Sequence, residues 1–293
     1  GGNGNDTMFG GSGDDTILGG FHDDSILGDS GDDFIDGQSG SDTVRGGLGN
    51  DSIEGDSFIG DDDLLFGDEG NDTIDGETLD DTIQGGTGND SLLGGNGDDS
   101  IQGNAGDDTA FGEDGNDTLD GATGDDYLDG GTGADSVHGG VGNNTESGND
   151  TIVFDEFDTI DGGSGVDVLL FKGGSLDFDS IAANQIASME VLSMEDGTAS
   201  QHITLDADDV VSFNPGNLTV QAAGHNVDLV VVGDDLGATQ DSVTLQGFSL
   251  VSGGTNVSLT GGNAGLYPPG TYNVYQNGDQ VVAVETGMDV FLT

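Results

Sequence analysis

Aspartate recurs in this chain at intervals of nine residues, five positions after a glycine and, as a rule, two before an aliphatic. The column reads Asp6, Asp15, Asp24, Asp33, Asp42, Asp51, Asp72, Asp81, Asp90, Asp99, Asp108, Asp117, Asp126 and Asp135, and continues less regularly with Asp150 and Asp167. Between Asp51 and Asp72 the period stretches by three residues, and Asp63 is taken as the member there, with Asp62 as the alternative. Carboxylates at a fixed spacing are the chemistry of a hard cation. Calcium takes six to eight oxygens from carboxylates and backbone carbonyls at about 2.3–2.6 Å, and glycine turns leave carbonyls free to supply the rest. Zinc fits poorly, because the chain has no Cys and only four scattered His.

The elements that must position these carboxylates are short. In Gly10 to Leu18 (GGSGDDTIL), glycines at positions one, two and four are expected to take the positive φ of a tight turn. The residues around position eight form a three-residue strand whose middle side chain points to the opposite face from its neighbours. Repeats open at Gly1, Gly10, Gly19, Gly28, Gly37, Gly46, Gly55, Gly67, Gly76, Gly85, Gly94, Gly103, Gly112, Gly121 and Gly130. Turn and strand in alternation predict a flattened coil with two repeats to a lap, aliphatics inside and aspartates at the corners. At the ~4.8 Å strand spacing the array makes a rod of roughly 35 Å. Each ion needs ligands from two repeats on one edge, so the rod should hold on the order of a dozen calcium ions.

The nonapeptide G-G-x-G-x-D-x-(aliphatic)-x, clear in Gly85 to Leu93 (GGTGNDSLL) and Gly94 to Gln102 (GGNGDDSIQ), resembles the calcium-binding repeat of the RTX proteins. That resemblance implies a right-handed parallel β-roll, calcium between successive turns, and export through a type I ABC transporter and its membrane channel. Two repeats depart from the pattern: Phe21-His22 and Thr78-Leu79 stand where a small residue and glycine are expected, which predicts weakened loops. The first residue already occupies position one, so a longer chain is expected. After Gly139 the rhythm breaks; Gly162 to Leu170 is the last recognisable unit.

From residue 172 glycine thins out and Val, Leu, Ala and Tyr rise. The expected organisation is therefore all-β, with a calcium-stacked solenoid over 1–171 and a β-rich C-terminal cap over 172–293. Asp179 to Ala187 reads as a short helix, and nine strands are expected from Met189 to Leu292. Ile186 to Gly197 (IASMEVLSMEDG), Asp241 to Leu245 and Gly270 to Tyr275 resemble the C-terminal target region of large RTX adhesins. That resemblance implies an uncleaved secretion signal within Tyr272 to Thr293, ending in Asp289, Val290, Phe291, Leu292 and Thr293.

Composition excludes other classes. Fifty-eight acidic residues against two basic ones give a net charge of −56, which is incompatible with binding phosphate backbones or an anionic membrane surface. There is no run of ~20 apolar residues to span a bilayer. Neither H-E-x-x-H nor G-x-S-x-G occurs, so no enzyme is expected in this chain. Without Cys, and with 58 glycines, metal must supply the order that cross-links or a thick core would. The function expected is a calcium-dependent folding and secretion module of an exported RTX adhesin, monomeric and extracellular or retained on the cell surface. The alternative is an adhesive or ice-binding surface, built on the hydroxyl column Thr7, Thr16, Ser25, Thr43, Ser52, Thr73, Thr82 and Ser91.

Overall fold

The computed structural model describes residues 1–55, 62–140, 148–155, 157–172, 181, 185–189 and 191–193 in full; for 175–177, 194 and the strands beyond 201 it describes the backbone. It contains strands and no helix among these residues, and forms a parallel β-solenoid of about nine turns. The chain divides into two compact units, one of residues 1–150 with 157–159, the other of residues 151–156 with 160–293.

In the first unit, strands that alternate in sequence fall into two sheets, and each strand pairs in parallel with the one 18 residues on, or 21 across the stretched period. Thr82↔Ser100 and Ile83↔Ile101 show this register in one sheet, Ser91↔Thr109 and Leu92↔Ala110 in the other. Two nonapeptides therefore make one coil. The period-two alternation of a strand then decides which side chain is inside: in Thr82–Thr87 the burial runs alternately partial and full, with Ile83 fully buried. Position eight supplies a core one residue wide on each side. Ile35, Val44, Ile53, Leu65, Ile74, Ile83, Leu92 and Leu119 are all at 1% exposure or below.

The glycines divide their work differently from the expectation. Positions two and four take positive φ, as at Gly86 (122°) and Gly88 (123°), but the position-one glycines do not. Where other residues occupy position two they adopt the same conformation, as Asp29 (75°), Gln38 (77°) and Asn104 (79°) do. His22 (75°) and Leu79 (77°) also take positive φ at position four, below the range of the glycines there, such as Gly88 (123°) and Gly97 (150°). The stacked coils hold the turn more strongly than the side chain resists it.

The hydroxyls expected in one column occupy two sheets. Thr7, Ser25, Thr43 and Thr82 align in one, interrupted by Leu64; Thr16, Ser52, Thr73 and Ser91 align in the other, interrupted by Phe34. One side chain per coil, broken by an apolar residue, is not a regular hydroxyl lattice.

The second unit is mainly parallel but changes its core. Thr151–Phe154, Val168–Phe171, Val191–Met194, Leu229–Gly233 and Gln280–Glu285 pair in parallel succession, and the antiparallel Tyr272–Asn277 follows. A four-stranded parallel sheet comprises Ser175–Asp177, His202–Leu205, Ser242–Leu245 and Asp289–Leu292. Here consecutive residues are buried, Ile152, Val153 and Phe154 on one strand and Leu169, Leu170 and Phe171 on the next. Both faces are covered, as runs of Val, Leu and Phe require. The helix expected over Asp179–Ala187 does not hold at its end, where Ile186–Ala187 is a strand paired to Ile160–Asp161; most of its other residues lie outside the described ones. The β-branched and apolar residues around Ile186 gain more from the ladder than from an isolated helical turn. The strand expected at Val210–Phe213 lies outside the described residues.

A left-handed Leu costs roughly 1–2 kcal/mol relative to glycine, and the Leu79 side chain is 41% exposed, so little packing offsets it. Leu79→Gly should therefore raise the stability of the calcium-loaded chain by about 1 kcal/mol, after the entropy of an added glycine is subtracted. Chemical denaturation in saturating calcium reads this, and a loss of stability would contradict the turn conformation.

Candidate metal centre: two columns of buried carboxylates

Each coil places a position-six aspartate at both corners, just before the strand. These side chains are buried: Asp72, Asp81 and Asp117 at 1% exposure, Asp99 and Asp108 at 2%. Their two oxygens have different surroundings. Oδ1 accepts the backbone N–H of the position-six aspartate one coil earlier, as Asp99 does from Asp81 (2.7 Å), Asp108 from Asp90 (2.8 Å) and Asp117 from Asp99 (2.8 Å). Oδ2 of Asp15, Asp24, Asp33, Asp51, Asp72, Asp81, Asp90, Asp99, Asp108, Asp117 and Asp126 is buried without a hydrogen-bond partner.

The direction of Oδ2 explains position one. A Cβ added to Gly10 would lie 2.8 Å from Asp15 Oδ2 and 2.7 Å from the carbonyl oxygen of Gly28; at Gly76 the corresponding contacts are Asp81 Oδ2 (2.6 Å) and Gly94 O (2.7 Å). Glycine is required there by close approach, not by φ. A carboxylate oxygen and a carbonyl oxygen of the next coil thus converge on the same space, and position-four carbonyls run along each edge, Gly70 toward Gly88 and Gly88 toward Gly106. Among the described residues no three or more His, Cys or acidic side chains converge. A cation held here would take one carboxylate per repeat and complete its shell from backbone carbonyls, which would suit an oxygen-seeking ion of flexible coordination.

Burial drives the titration of these groups upward, reinforced by the carboxylates stacked above and below and opposed by the backbone hydrogen bond. Asp72, Asp108, Asp117 and Asp150 reach about 7, Asp81 about 8, and Asp99 and Asp126 about 6; Asp51 and Asp90 are raised as well. Without a cation Asp81 resists ionisation at neutral pH, and Asp72, Asp108, Asp117 and Asp150 ionise there only in part.

The stretched period resolves in favour of Asp63, which is 3% exposed and accepts from the backbone of Asp42 at 2.7 Å, whereas Asp62 accepts from Asp80 in an exposed position. Asp135 and Asp150 are buried, and Asp150 Oδ1 accepts from Asp126 (2.9 Å). Asp6 and Asp15 are half-buried, with Asp6 donating to Asp24 (2.6 Å) and Asp15 to Asp33 (2.8 Å). Asp167 is fully buried in the second unit. Asp289, Val290, Phe291 and Leu292 form a strand in register with Ser242–Leu245, and Thr293 lies outside the described residues.

Two features escape the nonapeptide pattern. Asp158 occupies a position-six place: it is 2% exposed, its Oδ1 accepts from Asp135 (3.2 Å), and Thr159 donates to the Asp135 carbonyl (2.7 Å). The signal was the triplet Asp158-Thr159-Ile160, which repeats Asp15-Thr16-Ile17 without its glycines. Position five, which the pattern leaves open, carries a second ladder running the opposite way. Asn89 N–H donates to Asn71 Oδ1 (2.8 Å), Asp107 to Asn89 (3.1 Å) and Asp125 to Asp107 (3.0 Å), with the equivalent chain Asp80, Asp98, Asn116 on the other edge. Each of these bonds fixes the peptide plane between positions four and five, and so the direction of the position-four carbonyl. Asp98, held by the backbone and side-chain N–H groups of Asn116, titrates below its ordinary value.

Unfolded carboxylates titrate near 3.8, and Asp72, Asp81, Asp99, Asp108, Asp117, Asp126 and Asp150 between about 6 and about 8. Below the lower value the burial of these side chains carries no charge penalty; above the upper one the penalty is complete. In EDTA, β structure read by circular dichroism should therefore grow as the pH falls from 8 toward 4 and be lost on return, while in saturating calcium this dependence flattens. Asp99→Asn should strengthen the calcium-free roll and weaken its response to calcium. An unchanged calcium response would remove Asp99 from the ligand set. Asn89→Ala, which removes a position-five acceptor without touching the carboxylate column, should weaken calcium binding severalfold, with rescue by Asn89→Asp, read by isothermal titration.

Comparison with known families matches the RTX calcium-binding nonapeptide repeat (4 copies) over residues 1–35, 27–58, 60–83, 75–110, 111–146 and 155–175. No curated protein matches the chain. The matched segments cover more than half of its length and coincide with the coils that carry the orphaned Oδ2 atoms. RTX repeats bind calcium, and several repeats imply several ions. Buried carboxylate oxygens that find no hydrogen-bond partner among the described residues, in repeats of this family over this much of the sequence, leave one conclusion: the chain belongs to the family of RTX calcium-binding repeat proteins.

Proposed function

We propose that this chain is a calcium-gated folding and export module of an exported RTX adhesin. The observation that carries the reading is the buried Oδ2 column, ten or more carboxylates whose second oxygen has no partner, in a chain of net charge −56. In a cytosol poor in free calcium, repulsion and glycine entropy keep the repeats unfolded, the state a narrow export channel accepts. Outside, calcium near 10⁻³ M meets sites of the 10⁻⁴–10⁻³ M affinity usual for extracellular modules. Binding and folding are then one equilibrium.

In this reading the position-six aspartates, Asp63, Asp150 and Asp167 included, each contribute to one of about a dozen calcium ions. Residues 172–293 act as the cap and target region, with Asp289 to Thr293 presented to the type I ABC transporter and its channel. The cap emerges first, folds first and templates the adjacent coil, so that growth coil by coil biases the chain outward. The chain works as a monomer outside the cell, free or retained at the surface through a larger adhesin, and performs no catalysis. Asp289–Leu292 lies at the edge of its parallel sheet among the described residues, a position open to a partner strand. The hydroxyl-surface alternative loses support from the two interrupted columns.

A calcium titration followed by circular dichroism and small-angle scattering tests the gating. A cooperative gain of β signal with compaction, at submillimolar to millimolar calcium and not in magnesium, is expected. A chain already compact in EDTA at neutral pH would end the proposal. Secretion from a host carrying a type I system tests the export role, where deletion of the last five residues should abolish release and leave calcium folding intact.

A further inference from the structure

Asn96 and Gly97 sit at positions three and four of their repeat, at the end of the strand Ser91–Asn96. An asparagine followed by glycine is the pair most prone to succinimide formation, because glycine offers no side chain to hinder attack by its own backbone nitrogen. The reaction needs the Gly97 nitrogen to lose its proton and reach the Asn96 Cγ. The roll restrains every group involved. Gly97 N–H donates to the Asp114 carbonyl one coil later (2.9 Å). Asn96 N–H donates to the Glu77 carbonyl one coil earlier (3.0 Å), its side-chain Nδ2 donates to that same oxygen (3.4 Å), and its own carbonyl accepts from Leu79 (2.5 Å). Gly97 is fixed at a φ of 150°. Asn96 is nevertheless exposed, so water reaches it freely.

We infer that Asn96–Gly97 is a site of spontaneous deamidation that the folded roll protects and the calcium-free chain exposes. The inference rests on the calcium-gated folding proposed above. In the unfolded chain the Gly97 nitrogen bonds to the Asn96 Cγ, the amide leaves as ammonia carrying the proton lost from Gly97, and a cyclic imide remains. One water then opens the ring at either carbonyl, giving aspartate or isoaspartate. Isoaspartate adds a carbon to the main chain between positions two and four. Those positions must hold positive φ and aim a carbonyl along the edge, so a chain that has waited too long without calcium loses the means to close that coil. The site records, irreversibly, time spent unfolded.

The test incubates the full 293-residue chain in mildly alkaline buffer with EDTA or with saturating calcium. Circular dichroism follows the fold and peptide mass mapping follows conversion at Asn96. A synthetic peptide spanning residues 92–100, with and without calcium, gives the unrestrained rate and any direct effect of the ion. Conversion in EDTA at the peptide's rate, and at least about tenfold slower in calcium, is expected, because reaction then requires local opening of the coil. A chain that folds in calcium yet converts at the peptide's rate overturns this inference alone. A chain that stays unfolded in calcium overturns the gating and this inference with it. Asn96→Gln, incubated in EDTA and then given calcium, should regain more β signal than the parent; an equal loss in both would overturn the link to coil closure.

Discussion

The structure depends on an unfavourable arrangement, two columns of carboxylates buried about one strand spacing apart, in which Oδ2 of Asp15, Asp24, Asp33, Asp51, Asp72, Asp81, Asp90, Asp99, Asp108, Asp117 and Asp126 has no hydrogen-bond partner. Burying an ionised group without a partner costs far more than any single hydrogen bond returns. The protein hydrogen-bonds Oδ1 to the coil before and leaves these Oδ2 atoms facing backbone carbonyls, where an ion would fit. The remaining features of the roll follow from that constraint. Position one is glycine because Oδ2 and a carbonyl occupy the space of a Cβ. Positions two and four take positive φ because the carbonyls must be turned along the edge. Position five is Asn or Asp in most repeats, Ser41 and Ala134 excepted, and that side chain fixes the peptide plane that carries one of those carbonyls.

The roll's core is correspondingly thin. One aliphatic per strand, Ile83 stacked on Ile101 and Leu65, excludes water between two sheets but buries far less apolar surface than the second unit's strands do. Thr151–Phe154 and Val168–Phe171 bury nearly every side chain and need no metal to explain their order. The two units therefore differ in how much apolar burial supports them, one aliphatic per strand in the first and three consecutive residues in the second. That difference is what a calcium-gated sequence of folding would use.

The few cations are placed with economy. Arg45 lies 4.0 Å over the Phe66 ring and pairs with Asp68 at 2.8 Å on the outer face, away from the buried columns. With two basic residues in the whole chain, no internal ion pairing could neutralise the edges. A divalent cation is left as the counter-charge.

The sequence by itself determined the coil, the two repeats per lap, the inward aliphatic and the aspartate column, because each follows from local periodicity that stacking only repeats. Its reading of the glycines was half right: φ at positions two and four is a local demand, but the demand at position one comes from a carboxylate folded back five residues and a carbonyl 18 residues away. Only the tertiary structure chose Asp63 over Asp62, since the choice turns on which side chain reaches Asp42 one coil earlier. It also brought Asp158 into line without its glycines and turned the open position five into a ladder. Beyond residue 150 the longer strands were legible from their apolar runs, but Thr159–Asp161, Ile186–Ala187 and the parallel order were not. A strand covered on both faces carries no period that names its neighbours, and that partnership is decided only when the chain is packed.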